Sequence, residues 1–400
     1  MFKVIDKQIR LRNDKVVYCK KCVISNQRPR ITIDNNGVCS ACNYAELKDN
    51  VIDWKKRKNE LFELLDKHRS RNGSYDCIVP SSGGKDSANV AHRLKHEYNM
   101  HPLTITWAPF IYTEIGWQNY LAFKDSGFDN ILYFPNGILH RKLSRLGFEF
   151  VGDNFLPFIY GQKSYAFHIA LQNNIPLIFY GESGEVEYGG SLKNVNKSHE
   201  SPEDWEELYF KGNSIEDLVQ IGLENKILTK TDLENNLDFY KPPTLDKIAK
   251  KKIQMHWFSY YQKWIPQENF YYASENTGFK TNKVRSEGTY SKYASLDDKT
   301  DGFHYYMAYI KFGLGRATSD AAHEIREKHI TRDEAKSLVG RYDGEFPTKY
   351  FDEFLEYIGI TKEYFFKIID YYRLKSPQIW KKVNNEWLIK HNVNNTGVDD

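Results

Sequence analysis

The chain has 400 residues, with 56 basic against 53 acidic side chains and a net charge of +3. So even a balance argues against a nucleic-acid footprint, which needs a clustered excess of Lys and Arg. No apolar run is long enough to cross a bilayer and the N-terminus lacks a signal-peptide core, so a cytoplasmic protein without a membrane partner is expected.

Cys19-Lys-Lys-Cys22 and Cys39-Ser-Ala-Cys42 are separated by sixteen residues. Two residues between thiols let both sulfurs of a knuckle reach one tetrahedral ion, and two knuckles close the site. This spacing predicts a zinc-ribbon domain over 1–50 with a structural metal; an iron–sulfur cluster is the rival occupant. Residues 51–73 read as a helical linker, the charged stretch from Tyr44 to His68 placing Trp54, Leu61, Leu64 and Leu65 on one side.

Residues 74–335 form the expected main domain. Cys77, Ile78 and Val79 read as a buried strand, Ser82-Gly-Gly-Lys-Asp-Ser87 as a turn, and Val90, Ala91, Leu94 and Tyr98 as the inner face of a helix. A glycine-rich turn between strand and helix is an anion-binding geometry, and G-x-x-x-x-G-K-[ST] is absent. Further strand–helix alternation follows: strands at Pro102 to Trp107, Asn130 to Phe134 and Pro176 to Tyr180, helices at Glu114 to Ser126, Ile138 to Phe148 and Lys163 to Asn173. Such alternation predicts an α/β fold with a doubly wound parallel sheet, whose ligands bind at the carboxyl ends of the strands. Gly181-Glu182 sits at one such end, where Glu182 is either a solvated turn residue or a Mg²⁺ or substrate ligand.

A polar stretch at about 193–251 reads as a helical insertion, a lid or substrate-side segment. Charged residues then crowd around glycines: Arg285 to Lys292, Asp297, Asp301, Lys311 and Arg316 either side of Gly313 and Gly315, and Asp320. Basic groups there suit phosphate neutralisation, the alternative being that each is a surface residue or a member of an ion pair. His304 and His323 read as structural, and Thr331-x-x-Glu334 as a capping box. Residues 336–400, around Trp380 and Trp387, read as a helical C-terminal extension.

Ser82 to Ser87 matches every fixed position of Ser-Gly-Gly-x-Asp-Ser, the signature of the PP-loop ATP pyrophosphatases, so the main domain resembles the adenine nucleotide alpha-hydrolase-like fold. The cysteine pairs, Tyr160-Gly-Gln-Lys163, Gly181-Glu182 with Glu187-Tyr-Gly-Gly190, Arg285 to Lys292 and Lys311 to Arg332 extend the likeness. From about Tyr18 to Trp387 the chain resembles the N-acetyl sugar amidotransferases of bacterial O-antigen (lipopolysaccharide) and pseudaminic or legionaminic acid biosynthesis. The resemblance implies ATP, Mg²⁺ and a structural Zn²⁺. ATP would be held by Ser82, Gly83, Gly84, Lys85, Asp86, Ser87, Gly181 and Glu182. Catalysis would fall to Asp86 (capping the helix and placing Mg²⁺), Ser87, Lys311 and Arg316; Lys85 occupies the variable position of the signature. Substrate contacts would come from Gln162, Lys163, Glu187, Arg285, Glu287, Lys292 and Asp301.

The implied reaction adenylates the carbonyl oxygen of an acetamido group on a free or nucleotide-activated diacetamido sugar, and ammonia then displaces AMP to leave an acetamidino sugar. A glutaminase needs a nucleophilic cysteine. Four cysteines are committed to metal, Cys77 reads as buried and residue 2 is Phe, so this chain is not expected to hydrolyse glutamine itself. The resemblance implies that ammonia comes from a separate glutaminase subunit with a channel-forming, cyclase-like companion. One rival is a tRNA-modifying PP-loop enzyme of the thiolase or lysidine synthetase type, which predicts a basic groove and, for thiolation, further cysteines. Another is a zinc-ribbon interaction protein with a degenerate nucleotide fold.

Overall fold

The computed structural model describes residues 3–234 and 237–394. Six strands make its central sheet: β1 (Cys77–Pro80), β2 (Pro102–Trp107), β3 (Asn130–Tyr133), β4 (Leu177–Tyr180), β5 (His199–Glu200) and β6 (Gln254–Trp257). They lie in the order β3-β2-β1-β4-β6-β5, all parallel except β5, which pairs antiparallel with β6. The chain winds outward from β1 to one side and then returns to build β4 and β6 on the other. The strand order therefore reverses between β1 and β4, the position where open α/β sheets leave a crevice.

Both faces of the sheet are covered, and side chains alternate between them along each strand. Ile78, Ile105, Ile178 and Met255 pack with Leu143 and Phe167 of the helices Gly137–Leu146 and Leu156–Asn173. Cys77, Val79, Leu177 and Phe179 face the other way, onto Val90 and Leu94 of the helix Lys85–His96 and Leu61 and Leu65 of the helix Trp54–His68. The insertion is also part of this architecture. Trp205, Leu218, Leu228 and Tyr240 are buried in the same core as Ile78, so residues 193–251 roof one sheet face rather than forming a separate lid. That stretch and its exit supply the strands β5 and β6, which the sequence reading did not anticipate.

The ribbon turns on short bridges, Tyr18 with Ser25 and Ile33 with Cys39. The stretch expected as one helix from Tyr44 is two, Ser40–Asn50 and Trp54–His68, because the Asp53 carboxylate accepts from the Lys56 N–H at 2.9 Å and starts the second helix anew. In the C-terminal region the helices Phe351–Ile358 and Lys362–Leu374 pack through Phe354 and Phe365 on Phe303 of the helix Asp301–Phe312. Beyond these helices, β7 (Trp380–Val383) and β8 (Glu386–Ile389) form a hairpin turning at Asn384 and Asn385, both with positive φ (47° and 68°). No helix among the described residues is long and apolar enough to cross a membrane.

Candidate functional site

β1 delivers the chain to the crevice. Ser81 still donates its N–H to the Ile105 carbonyl at 2.8 Å, and the ladder then breaks into Ser82-Gly83-Gly84. Gly83 has φ +83°, and a Cβ there would lie 2.7 Å from the Tyr120 Cα and 2.8 Å from the Asn119 carbonyl oxygen, so only glycine fits. Gly84 is the N-cap of the helix Lys85–His96, and no side chain caps it. Its first-turn N–H groups and the positive end of its dipole therefore face the crevice, a fit to a phosphate. The Ser87 hydroxyl donates to the Gly84 carbonyl at 3.1 Å and accepts from the Ser81 hydroxyl at 3.0 Å, which fixes the turn.

Asp86 does not cap this helix, contrary to expectation, because it lies inside the first turn. Its carboxylate accepts from Asn269 at 3.0 Å and pairs with Lys85; Asn269 in turn accepts from Asn89 at 3.1 Å. Asn269 carries no motif and was not legible as a site residue. Glu182, just beyond β4, is half-buried, and desolvation followed by the neighbouring Asp86 pushes its carboxyl up to about 8. The Tyr188 hydroxyl donates to it at 3.4 Å. Two carboxylates beside an uncapped helix start and a lysine form a donor set suited to Mg²⁺ with a polyphosphate.

Arg316 comes to the same place from the start of the helix Arg316–Arg326. Its guanidinium is held by Asp320 at 3.0 Å and by the Tyr305 hydroxyl, and it lines the loop's cleft beside Gly84, Lys85 and Asp86. Asp297 lines that cleft too, set over Ser82 because Tyr112 pairs with Asp298 and Thr113 donates to the Asp297 carbonyl at 3.1 Å. Burial and Asp301 raise the Asp297 carboxyl, while Ser82 and Arg316 hold it down. On the other flank, between β2 and the helix Leu156–Asn173, Ser82 and Ser87 border a second hollow walled by Thr106, Trp107, Phe155, Phe158 and Gln162. Its aromatic walls suit a flat heterocycle.

The remaining candidates lie elsewhere or are already engaged. The Lys311 ammonium, expected at the phosphates, pairs with Asp6 at 2.7 Å and the Val151 carbonyl at 3.0 Å, in the interior. Lys163 is boxed by Tyr209 at 3.8 Å and Trp257 at 4.3 Å, and burial lowers its ammonium to about 8. Glu187 binds Lys48 of the ribbon. Arg285 clasps Glu345 through both arms at 2.6 and 2.7 Å, and Glu287 accepts the N–H groups of Thr348 and Lys349. Lys292 is exposed, and Asp301 acts on the cleft through its field on Asp297, Arg316 and Tyr305.

In the ribbon, Cys19, Cys22, Cys39 and Cys42 are buried and unbridged, with all four sulfurs within 4.8 Å of one another. The Cys19–Cys42 and Cys22–Cys39 sulfurs are 3.9 and 3.7 Å apart. Four thiolates at ~2.3 Å from one tetrahedral ion stand roughly 3.8 Å from each other, so the set fits a single Zn²⁺.

Comparison with known proteins finds two partial likenesses. Over 88 residues the chain is 28% identical to the uncharacterized protein MJ1599 of Methanocaldococcus jannaschii, a match covering 22% of this chain and 31% of that protein. Residues 287–393 match the family described as LPS biosynthesis protein WbpG-like, C-terminal domain. The stretch that brings Asp297, Arg316 and Asp320 to the cleft is therefore similar to a domain of lipopolysaccharide biosynthesis proteins.

Proposed function

We propose that this chain is an ATP-dependent amidotransferase of bacterial surface polysaccharide biosynthesis, converting an acetamido group on a sugar into an acetamidino group. What carries this assignment is the unbroken Ser82–Ser87 loop, opening an uncapped helix at the point where the strand order reverses, with Lys85 and Arg316 beside it.

An amide carbonyl is a poor electrophile because its oxygen leaves poorly. The carbonyl oxygen attacks the α-phosphorus of ATP, an O–P bond forms, and the bond to the bridging oxygen of pyrophosphate breaks. The N–H groups after Gly84, with Lys85 and Arg316, take up the charge that develops on the departing pyrophosphate. Gly83 and the Ser81–Ser87 bond hold the turn rigid, so that most of the acceleration comes from positioning. Ammonia then adds to the imidate carbon, AMP leaves with the former carbonyl oxygen, and loss of a proton gives the amidine. The aromatic hollow beside β2 suits the adenine. The Cys77 thiol is wholly buried and its pKa is pushed up by that burial, which makes it unfit as a glutaminase nucleophile and supports ammonia delivery from a partner glutaminase.

The test is to incubate the protein with Mg-ATP, an ammonium salt and a panel of acetamido sugars. Release of pyrophosphate and AMP that depends on one sugar, with a product in which N–H replaces oxygen, is the expected result. Release of ADP, or release that depends on tRNA, overturns the assignment.

A further inference from the structure

With adenine in the aromatic hollow and pyrophosphate on the loop, the α-phosphate of ATP lies between those two spaces. Ser82 and Asp297 border both of them, so the phosphorus that receives the carbonyl oxygen lies beside these residues. Asp301 is near enough to Asp297 for its charge to act on that carboxyl, and it opens the helix Asp301–Phe312. His304 stands three positions further on, on the same face of that helix.

His304 is set between the walls of the two spaces. Its ring lies 5.4 Å from that of Phe155, which lines the hollow, and 4.9 Å from that of Tyr305, whose hydroxyl holds Arg316 over the loop. Its Nδ1 is 2.7 Å from Asp153, a carboxylate 1% exposed that also accepts the Phe155 N–H at 2.9 Å and pairs with Lys211. Burial alone would raise the Asp153 carboxyl, but His304, Lys211 and Lys311 hold it well below the usual carboxylate range, so it is ionised and can only accept. In the neutral ring the proton is therefore fixed at Nδ1. Nε2 has no partner among the described residues and keeps a free lone pair, on a side chain that is 22% exposed. A buried carboxylate that orients an imidazole and leaves its far nitrogen open is the arrangement of a general base.

We infer that His304, oriented by Asp153, is the base of the second step, its Nε2 taking the proton that nitrogen loses after ammonia adds to the imidate carbon. This rests on the amidotransferase reading above. The ammonia lone pair forms the new C–N bond while the C=N pair moves onto the sugar nitrogen, and the added nitrogen carries a positive charge. In that form ammonia leaves more readily than AMP, and the adduct reverts. Transfer of one proton to Nε2 leaves an amine, which is a poor leaving group. The sugar nitrogen then re-forms its double bond to carbon, and the C–O bond breaks with its electron pair going to AMP. Asp153 stabilises the imidazolium until solvent takes the proton.

The test separates the two steps in the full-length chain. Pyrophosphate release is followed in a single turnover with Mg-ATP and the panel of acetamido sugars without ammonium, and amidine formation after ammonium chloride is added. The variants are His304→Asn, whose amide can keep the bond to Asp153 but offers no basic nitrogen, and His304→Ala, with and without added imidazole. Both are expected to keep the single-turnover pyrophosphate release and to lose about 100-fold in ammonia-dependent turnover, with imidazole restoring part of it to His304→Ala. Wild-type turnover by His304→Asn shows that the ring only braces Asp153 and overturns the assignment, as does loss of pyrophosphate release as deep as the loss of turnover. If the wild type releases no pyrophosphate with any sugar, the amidotransferase reading falls and this role falls with it. If wild type and His304→Asn both complete the reaction, the role falls and the reaction stands.

Discussion

Lys48, in the ribbon, donates to Glu187, beside the crevice, at 2.7 Å, and the two side chains are 3% and 1% exposed. Lys48 also reaches Glu327 at 3.4 Å, so one ammonium joins the ribbon, the turn after β4 and the helix that carries Arg316. A buried pair adds little net stability, but removing one partner strands a charge. Lys48→Met is expected to destabilise the chain by about 3–5 kcal/mol in urea unfolding, and replacing Glu187 together with Lys48 is expected to restore much of that loss.

Lys311 and Arg316 lie five positions apart and separate cleanly in role. Lys311→Met strands Asp6 and is expected to lower stability while leaving the KM for ATP unchanged. Arg316→Ala is expected to cut pyrophosphate release by about 100-fold with a smaller effect on folding. Steady-state kinetics beside urea midpoints distinguish the two.

The glycines of the loop offer a matched pair. In Gly83→Ala the methyl must displace the backbone at Asn119 and Tyr120, so the variant is expected to lose about 1–3 kcal/mol of stability. In Gly84→Ala the methyl meets only the Ser82 hydroxyl, at 3.4 Å. That variant is expected to fold normally yet bind ATP at least about tenfold more weakly, because the methyl intrudes where a phosphate oxygen would rest. Equilibrium dialysis with ATP checks this.

Glu182 gives a pH dependence of definite sign. Its carboxyl in the folded chain is raised from 4.5 to about 8. The folded state thus holds a proton that the unfolded state releases, so the stabilisation is complete below pH 4.5 and is lost as pH rises through about 8. In the ligand-free protein, Glu182→Gln is expected to flatten the fall in stability over this window, by at most about 1.4 kcal/mol per pH unit. Asp298, raised to about 8 by its own burial, keeps its separate contribution. Urea midpoints taken across the window decide the matter.

Removing the metal is expected to reach well beyond the ribbon. Arg332 donates to the Cys22 and Cys19 carbonyls at 3.0 and 3.1 Å, so the knuckle is bonded to the start of the helix Arg332–Tyr342. Chelation, or Cys22→Ser, is expected to lower the Tm and to release one Zn²⁺ per chain, measured by mass spectrometry of the metal. Retention of full thermal stability without metal would contradict this.

The features that could be read from the sequence are those with short-range causes. β1 and β4 are apolar runs because a central parallel strand is buried on both sides, and the paired glycines of the loop sit where a backbone needs them. The cysteine spacing is likewise a local constraint. What could not be read depends on distant partners. Lys311 looked like a phosphate ligand because its neutraliser, Asp6, is 305 residues away. Glu187 looked like a substrate contact because Lys48 is 139 residues away. β5 escaped notice because it has only two residues, and β6 because Gln254-Met-His-Trp257 lacks a clear alternation. The Val383-Asn-Asn-Glu386 turn was a hairpin signal that the surrounding charged residues obscured.

The segment at Asp6 and Arg12 is fastened to residues made much later, Asp6 to one 305 positions further on. Asp6 waits for Lys311, and Arg12 for the Lys311 carbonyl and for Ser376 and Lys375. During synthesis, Asp6 and Arg12 lack these partners until Lys311, Lys375 and Ser376 have been made. The cysteine knuckles, whose sulfurs lie close together in sequence, can collect their ion long before that. Closure of the molecule is then a late event in biosynthesis, and a bulky tag fused close to Asp6 would interfere with that final step and not with the early ones.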